Sequence, residues 1–180
     1  MAPGVSWRPL PEDAGDPPET GDTFEANALQ KAEFVADWME DGIPGGPDFL
    51  ADDSGIEVDA LGGRPGVWSK RYSPEATDEA NRALLLEELA GVSPERRTAR
   101  FRCVLALVHR QPRFAPLLFE GRCEGTIAFA ARGDGGFGYD PLFLPNATPG
   151  RTMAELSPVQ KDAISHRGQA LRALIAGLPG

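Results

Sequence analysis

Apolar residues first recur at helical spacing at Phe24, Ala28, Ala32, Val35 and Met39. That period predicts an amphipathic helix, capped by Asp22 or Thr23 and closed by Gly42. A Pro/Gly loop at 44–47 follows, then a short strand through Phe49, Leu50 and Ala51 that stops at Asp52-Asp53-Ser54-Gly55. Ile56 to Leu61 reads as a second extended piece before the turn Gly62-Gly63-Arg64-Pro65-Gly66. A helix is expected from Thr77 to Ala90, with Ala80, Leu84 and Leu85 inward and Gly91 closing it. Arg100 to Val108 alternates at its start and then turns wholly apolar, as a strand entering a core does. Leu117 to Glu120 and Thr126 to Ala131 read as two more strands with Cys123 in a hairpin between them, and Leu142 to Leu144 as another. A last helix runs from Ser165 to Leu178, with Leu171, Leu174, Ile175 and Leu178 on one face. Alternating strands and helices give an α/β class.

Composition narrows the class of protein. At 180 residues and 41% hydrophobic, the chain suits one globular domain. Residues 1–18, rich in Pro, Gly and acid, read as an extended leader to a domain over 19–180. No apolar run approaches a membrane span, and the N-terminus lacks the apolar core of a signal peptide, so a cytoplasmic protein with no membrane partner is expected. Two cysteines make no disulfide scaffold; Cys103 and Cys123 are expected as buried thiols. The net charge of -9 argues against a nucleic acid polymer as partner. That charge is uneven: residues 1–90 carry 6 basic and 20 acidic side chains, residues 91–180 carry 12 and 7. A cleft between such halves can hold a metal on acids and a phosphate on bases, although solvated faces of opposite sign give the same count.

Three segments carry candidate chemistry. In Asp52-Asp53-Ser54-Gly55, adjacent carboxylates at a strand end point to different sides, one suited to a divalent cation and one to accept a proton from water. The same four residues also read as turn chemistry, with Gly55 permitting the turn. The loop Gly133 to Tyr139 contains G-x-G-x-x-G, but Pro141 and Pro145 interrupt the helix a dinucleotide fold needs. What remains is Phe137 flanked by glycines, either open for a planar base to stack on or tucked into the core. Third, Lys161 and Arg167 offer permanent donors and His166 a tautomer-dependent one. Asn27 and Lys31 form an i, i+4 pair on the first helix. There is no P-loop, no G-x-S-x-G elbow and no zinc-type Cys/His spacing.

In order along the chain stand Glu19-Thr20-Gly21, Thr23-Phe24 and Asn27-Ala28; Ala51-Asp52-Asp53-Ser54-Gly55; Ser69 with Arg71-Tyr72; Gly136-Phe137-Gly138-Tyr139-Asp140-Pro141; and Lys161 with Ile164-Ser165-His166-Arg167. Together they resemble the inosine/xanthosine triphosphate pyrophosphatase family. The resemblance implies a two-lobed α/β fold around a long mixed sheet flanked by helices, the active site between lobes, and a homodimer. It implies hydrolysis of deaminated purine nucleoside triphosphates (ITP, dITP, XTP) to monophosphate and pyrophosphate, with Mg2+ as cofactor. By position, Asp53 matches the proton acceptor and, with Asp52, the metal site. Ser54, Phe137, Gly138, Tyr139, Asp140, Lys161, His166 and Arg167 match substrate-binding positions, the last two at the 6-oxo edge, and Asn27 and Lys31 join the same set. Two departures stand out: no S/T-x-N-x-x-K phosphate loop is found before Glu19, and Ala26 stands where the family often has a metal-binding Glu. The alternative to an enzyme is a nucleotide-binding or dimerisation remnant.

Overall fold

The computed structural model describes residues 8–10, 14–39, 48–109 and 114–178 of the chain. The expected helix end at Gly42 and the loop at 44–47 lie outside them. Four strands, β1 (Phe49–Val58), β2 (Thr98–Val108), β3 (Leu117–Ile127) and β4 (Phe143–Pro145), form a sheet in the order β1-β2-β3-β4. Every described pairing is antiparallel, where the resemblance implies a mixed sheet. Helices α1 (Phe24–Trp38), α2 (Asp78–Glu88), α3 (Pro158–Ile164) and α4 (His166–Gly177) complete the α/β architecture.

The apolar half of β2 is covered on both faces. Val104 and Ala106 pack with Phe24, Ala28 and Ala32 of α1. Cys103, Leu105 and Leu107 pack with Ala170 and Leu174 of α4. Burial on both sides is why the alternation ends after Arg102. Nearer its start, β2 puts Ala99 and Phe101 into a third cluster with Ile56, Val58, Leu85, Leu89 and Phe143. On the opposite face, Arg102 pairs with Glu25, Glu57 and Glu120, and Arg100 with Asp59 and Glu124. Glu25, Glu57 and Asp59 of the acidic half thus pair with two arginines of the basic half.

Several expectations need correction. Asp52-Asp53-Ser54-Gly55 is no turn: β1 runs through it, with Asp53 opposite Val104 and Gly55 opposite Arg102. A Cβ at Gly55 would collide with the Gly66 carbonyl oxygen and lie 2.5 Å from Ser69 Oγ, so the glycine serves close packing. Leu117 to Ile127 is one strand, and Cys123 sits inside it opposite Phe101 rather than in a hairpin. The strand ends at Ile127, not Ala131. Both cysteines are buried free thiols, as expected. The buried face of α4 is His166, Ala170 and Leu174; Leu171 and Ile175 are turned outward. The preceding helix α3, opened by a capping box of Ser157 and Gln160 with Pro158 in its first turn, was not foreseen.

Candidate active site

Successive side chains of a strand point to opposite faces, and β1 uses this to send its two carboxylates to different helices. Asp53 faces α1: Lys31 Nζ donates to Asp53 Oδ1 at 2.8 Å and Asn27 Nδ2 to Oδ2 at 3.2 Å. Asp52 faces α4, where the Arg167 guanidinium donates to its Oδ2 at 2.7 Å and 3.2 Å. Arg167 also reaches Ser54 Oγ at 3.2 Å. The i, i+4 pair Asn27 and Lys31 is thus not a surface pair; both hold the same carboxylate. Asp53 is buried, and burial pushes its pKa up against the opposing pull of Lys31 and Asn27.

Lys31 has a second carboxylate. Its Nζ lies 2.6 Å from Glu19 Oε1 and donates to the Asp52 carbonyl oxygen at 3.1 Å. Arg71 binds the other side of Glu19 at 2.7 Å. The two cations hold the Glu19 carboxyl below its usual range, outweighing its partial burial. Burial alone would lower Lys31; its hydrogen bonds to Asp53 and Glu19 raise it overall. Reading the sequence assigned Glu19 no role, although it opens the first matched motif; the carboxylate sharing a cation with Asp53 is Glu19, while that of Asp52 is held by Arg167. Glu25, beside Ala26, pairs with Arg102 at 2.8 Å. A cavity of about 190 Å³ is lined by Glu19, Lys31, Asp52, Asp53, Ser54, Val67, Lys70 and Arg167. A larger one of about 500 Å³ shares Glu19, Lys31 and Lys70 with it.

The second cluster is built on the Gly133–Asp140 loop. Phe137 is 63% exposed, so the ring is open rather than tucked into the core. Lys161 Nζ lies 4.6 Å from its centroid and 2.5 Å from Asp140 Oδ2. Buried Asp140 also accepts from Phe137 N at 2.9 Å. Gly138 adopts a left-handed φ of 58° and donates its N–H to Asp78. Phe137 and Lys161 line neither cavity.

Three matched residues face inward. The Tyr139 side chain is buried and donates to the Ser69 carbonyl at 2.9 Å, and burial raises its pKa. Asn27 is fully buried and also accepts from Gly21 N at 2.7 Å. The His166 ring is buried and stacked on Phe101, centroids 4.8 Å apart, with Nδ1 lacking a hydrogen-bond partner. Burial, then Arg167 and Lys161, push its pKa down to about 3, so the ring is neutral near pH 7 and offers one donor and one acceptor.

Among the described residues no three His, Cys, Asp or Glu side chains group as a metal cage, and no helix is long and apolar enough to cross a membrane. A dITP/XTP pyrophosphatase of Geobacter sulfurreducens is 52% identical over 167 residues, covering 91% of this chain and 79% of the relative. One from Lactococcus lactis is 50% identical over 164 residues, covering 89% and 77%. The solved structure of a HAM1 protein from Coxiella burnetii superposes with a TM-score of 0.82 at 44% identity, covering 91% of this chain and 80% of that one. The Ham1 family model matches residues 3–177, and with these relatives it establishes that the chain belongs to the Ham1 family.

Proposed function

We propose that this chain is a nucleoside triphosphate pyrophosphatase that hydrolyses deaminated purine nucleoside triphosphates, dITP and XTP among them, to the monophosphate and pyrophosphate. The observation that carries the reading is buried Asp53, pinned by Lys31 and Asn27 at the wall of a cavity shared with Glu19, Ser54 and Arg167. Water attacks the innermost phosphorus, the bond from that phosphorus to the bridging oxygen breaks, pyrophosphate leaves, and Asp53 accepts the water's proton. The raised pKa of Asp53 makes it a better base than an exposed aspartate. Lys31, at the cavity wall, faces charge that grows on phosphoryl oxygens.

Glu19 and Asp53 fit Mg2+: they are hard oxygen donors already sharing one cation, and this metal is commonly held by one or two carboxylates with substrate phosphates filling the rest. When bound, the metal supplies Lewis-acid polarisation of a phosphoryl oxygen and acidifies coordinated water. At the other end, the open Phe137 ring stacks on the purine, while the Arg167 guanidinium and the neutral His166 ring read its 6-position. Adenine presents a donor there and is rejected. A homodimer and a cytoplasmic location belong to the same reading.

The test is pyrophosphate release from ITP, XTP, ATP and GTP, with Mg2+ and with chelator, by the wild type and Asp53→Asn. Preference for the 6-oxo purines, loss on chelation, and a roughly 10²–10⁴-fold lower rate for the variant are expected. Equal rates for the two proteins would remove Asp53 from its role, and no release by either would favour the remnant.

A further inference from the structure

We infer that Asp78 and Arg82 of α2 are positioning residues for Phe137: they grip the two peptide groups flanking the Gly138 Cα and so fix the ring for base stacking. Gly138 N donates to Asp78 Oδ2 at 2.6 Å, and Arg82 Nη1 donates to the Gly138 carbonyl at 2.7 Å. The two residues are four apart on one helix and meet one loop residue from both ends. The inference rests on Phe137 being the stacking ring of the proposed function.

The loop needs such a grip. Glycines at 133, 135, 136 and 138 leave its backbone unusually free, and the left-handed φ of 58° at Gly138 is one of many conformations open to it. The Phe137 ring is too exposed for core packing to orient it, with Lys161 Nζ 4.6 Å from its centroid. Backbone restraint therefore sets where the ring points. Asp140 accepts from Phe137 N and donates its own N–H to the Phe137 carbonyl, and α2 takes both polar groups of Gly138. The helix is a firm anchor, because Leu85 sits in the core and Asn81 is buried against the Ser69 and Lys70 carbonyls. Ser69 in turn accepts from Tyr139, so the residue after Gly138 is tied to the same framework. A ring held ready loses little freedom when a base arrives, and that is where the affinity comes from.

The test uses calorimetric binding of two probes to the full chain: inosine monophosphate, which needs the ring, and inorganic tripolyphosphate, which does not. Arg82→Ala and Asp78→Ala are expected to weaken the monophosphate about tenfold, a middling share of what stacking contributes, while tripolyphosphate stays within about twofold. Arg82→Lys should recover most of the loss. In a Phe137→Ala background, Arg82→Ala should cost nothing further, because the two act through one contact. With ITP as substrate, KM should rise about tenfold with kcat held within about twofold. Unchanged monophosphate affinity, equal losses for both probes, or full additivity with Phe137→Ala would each overturn the assignment. Should Asp78→Ala, next to the cap residue Thr77, fail to fold, Arg82→Ala and its lysine rescue carry the test alone. If the wild type binds the monophosphate yet releases no pyrophosphate from ITP, the activity falls and the clamp stands; if it does not bind the monophosphate, the clamp falls too.

Discussion

Replacing Lys31 with methionine isolates the electrostatics of the site, because the stem is kept and only the ammonium is lost. Three oxygens lose a donor: Glu19 Oε1 at 2.6 Å, Asp53 Oδ1 at 2.8 Å and the Asp52 carbonyl at 3.1 Å. Glu19 retains Arg71 at 2.7 Å and loses little. Asp53, 7% exposed, is left with a single neutral amide from Asn27 at 3.2 Å. Removing one partner of a buried ion pair costs about 3–5 kcal/mol, and a carboxylate at a cavity wall belongs at the lower end, near 3 kcal/mol. In a chain of this size each kcal/mol moves Tm by about 2–4 °C, so Lys31→Met should melt about 6–12 °C lower. Urea unfolding of the single and double variants reads the cost directly. Adding Asp53→Asn removes the stranded charge and should restore about 2 kcal/mol, a coupling that distance alone does not produce. A loss under about 1 kcal/mol, or additive single and double variants, would refute the argument that Asp53 depends on this ammonium.

Two further outcomes follow from packing and from protonation. Gly55→Ala drives a methyl into the Gly66 carbonyl and Ser69 Oγ, and Ser69 Oγ itself receives Ile56 N at 2.9 Å; unfolding midpoints should show a loss of about 3 kcal/mol. His166 ordinarily titrates near 6.5 and is held down to about 3 in the fold by burial, with Arg167 and Lys161 adding to the effect and Asp52 opposing it. The unfolded chain therefore takes up a proton that the folded one refuses, so stability falls as pH drops from 6.5 toward 3, at up to about 1.4 kcal/mol per pH unit. His166→Gln should flatten that slope in urea titrations run between about pH 7 and pH 4; an unchanged slope would count against a neutral buried ring.

Helices α1 and α2 were legible because periodicity and caps agree: Thr23 caps α1 and Thr77 caps α2, each accepting from the backbone three residues on. The breaks in β1 and β3 were misread for a physical reason. Asp-Asp-Ser-Gly looks like turn chemistry until tertiary partners are known; Lys31, Asn27 and Arg167 are what keep those polar residues in a strand. In β3, Gly121 and Gly125 look like interruptions, yet a Cβ at either would strike α4 or β4. The motifs singled out Asp53 and Arg167, which the structure brings to one cavity, and Phe137 and Lys161, which it brings against each other. Glu19 was not singled out, because its pairing depends on a cation reaching it from α1, and no local pattern encodes that reach.

One face of α1 does two tasks. Asn27, Gln30 and Lys31 fasten Gly21, Thr20 and Glu19 in turn, and two of the three also hold Asp53. The stretch ahead of the helix is therefore no passive lead-in but one end of a short lever. A displacement of Gly21 or Glu19 reaches the Asp53 carboxylate through two shared side chains, Asn27 and Lys31.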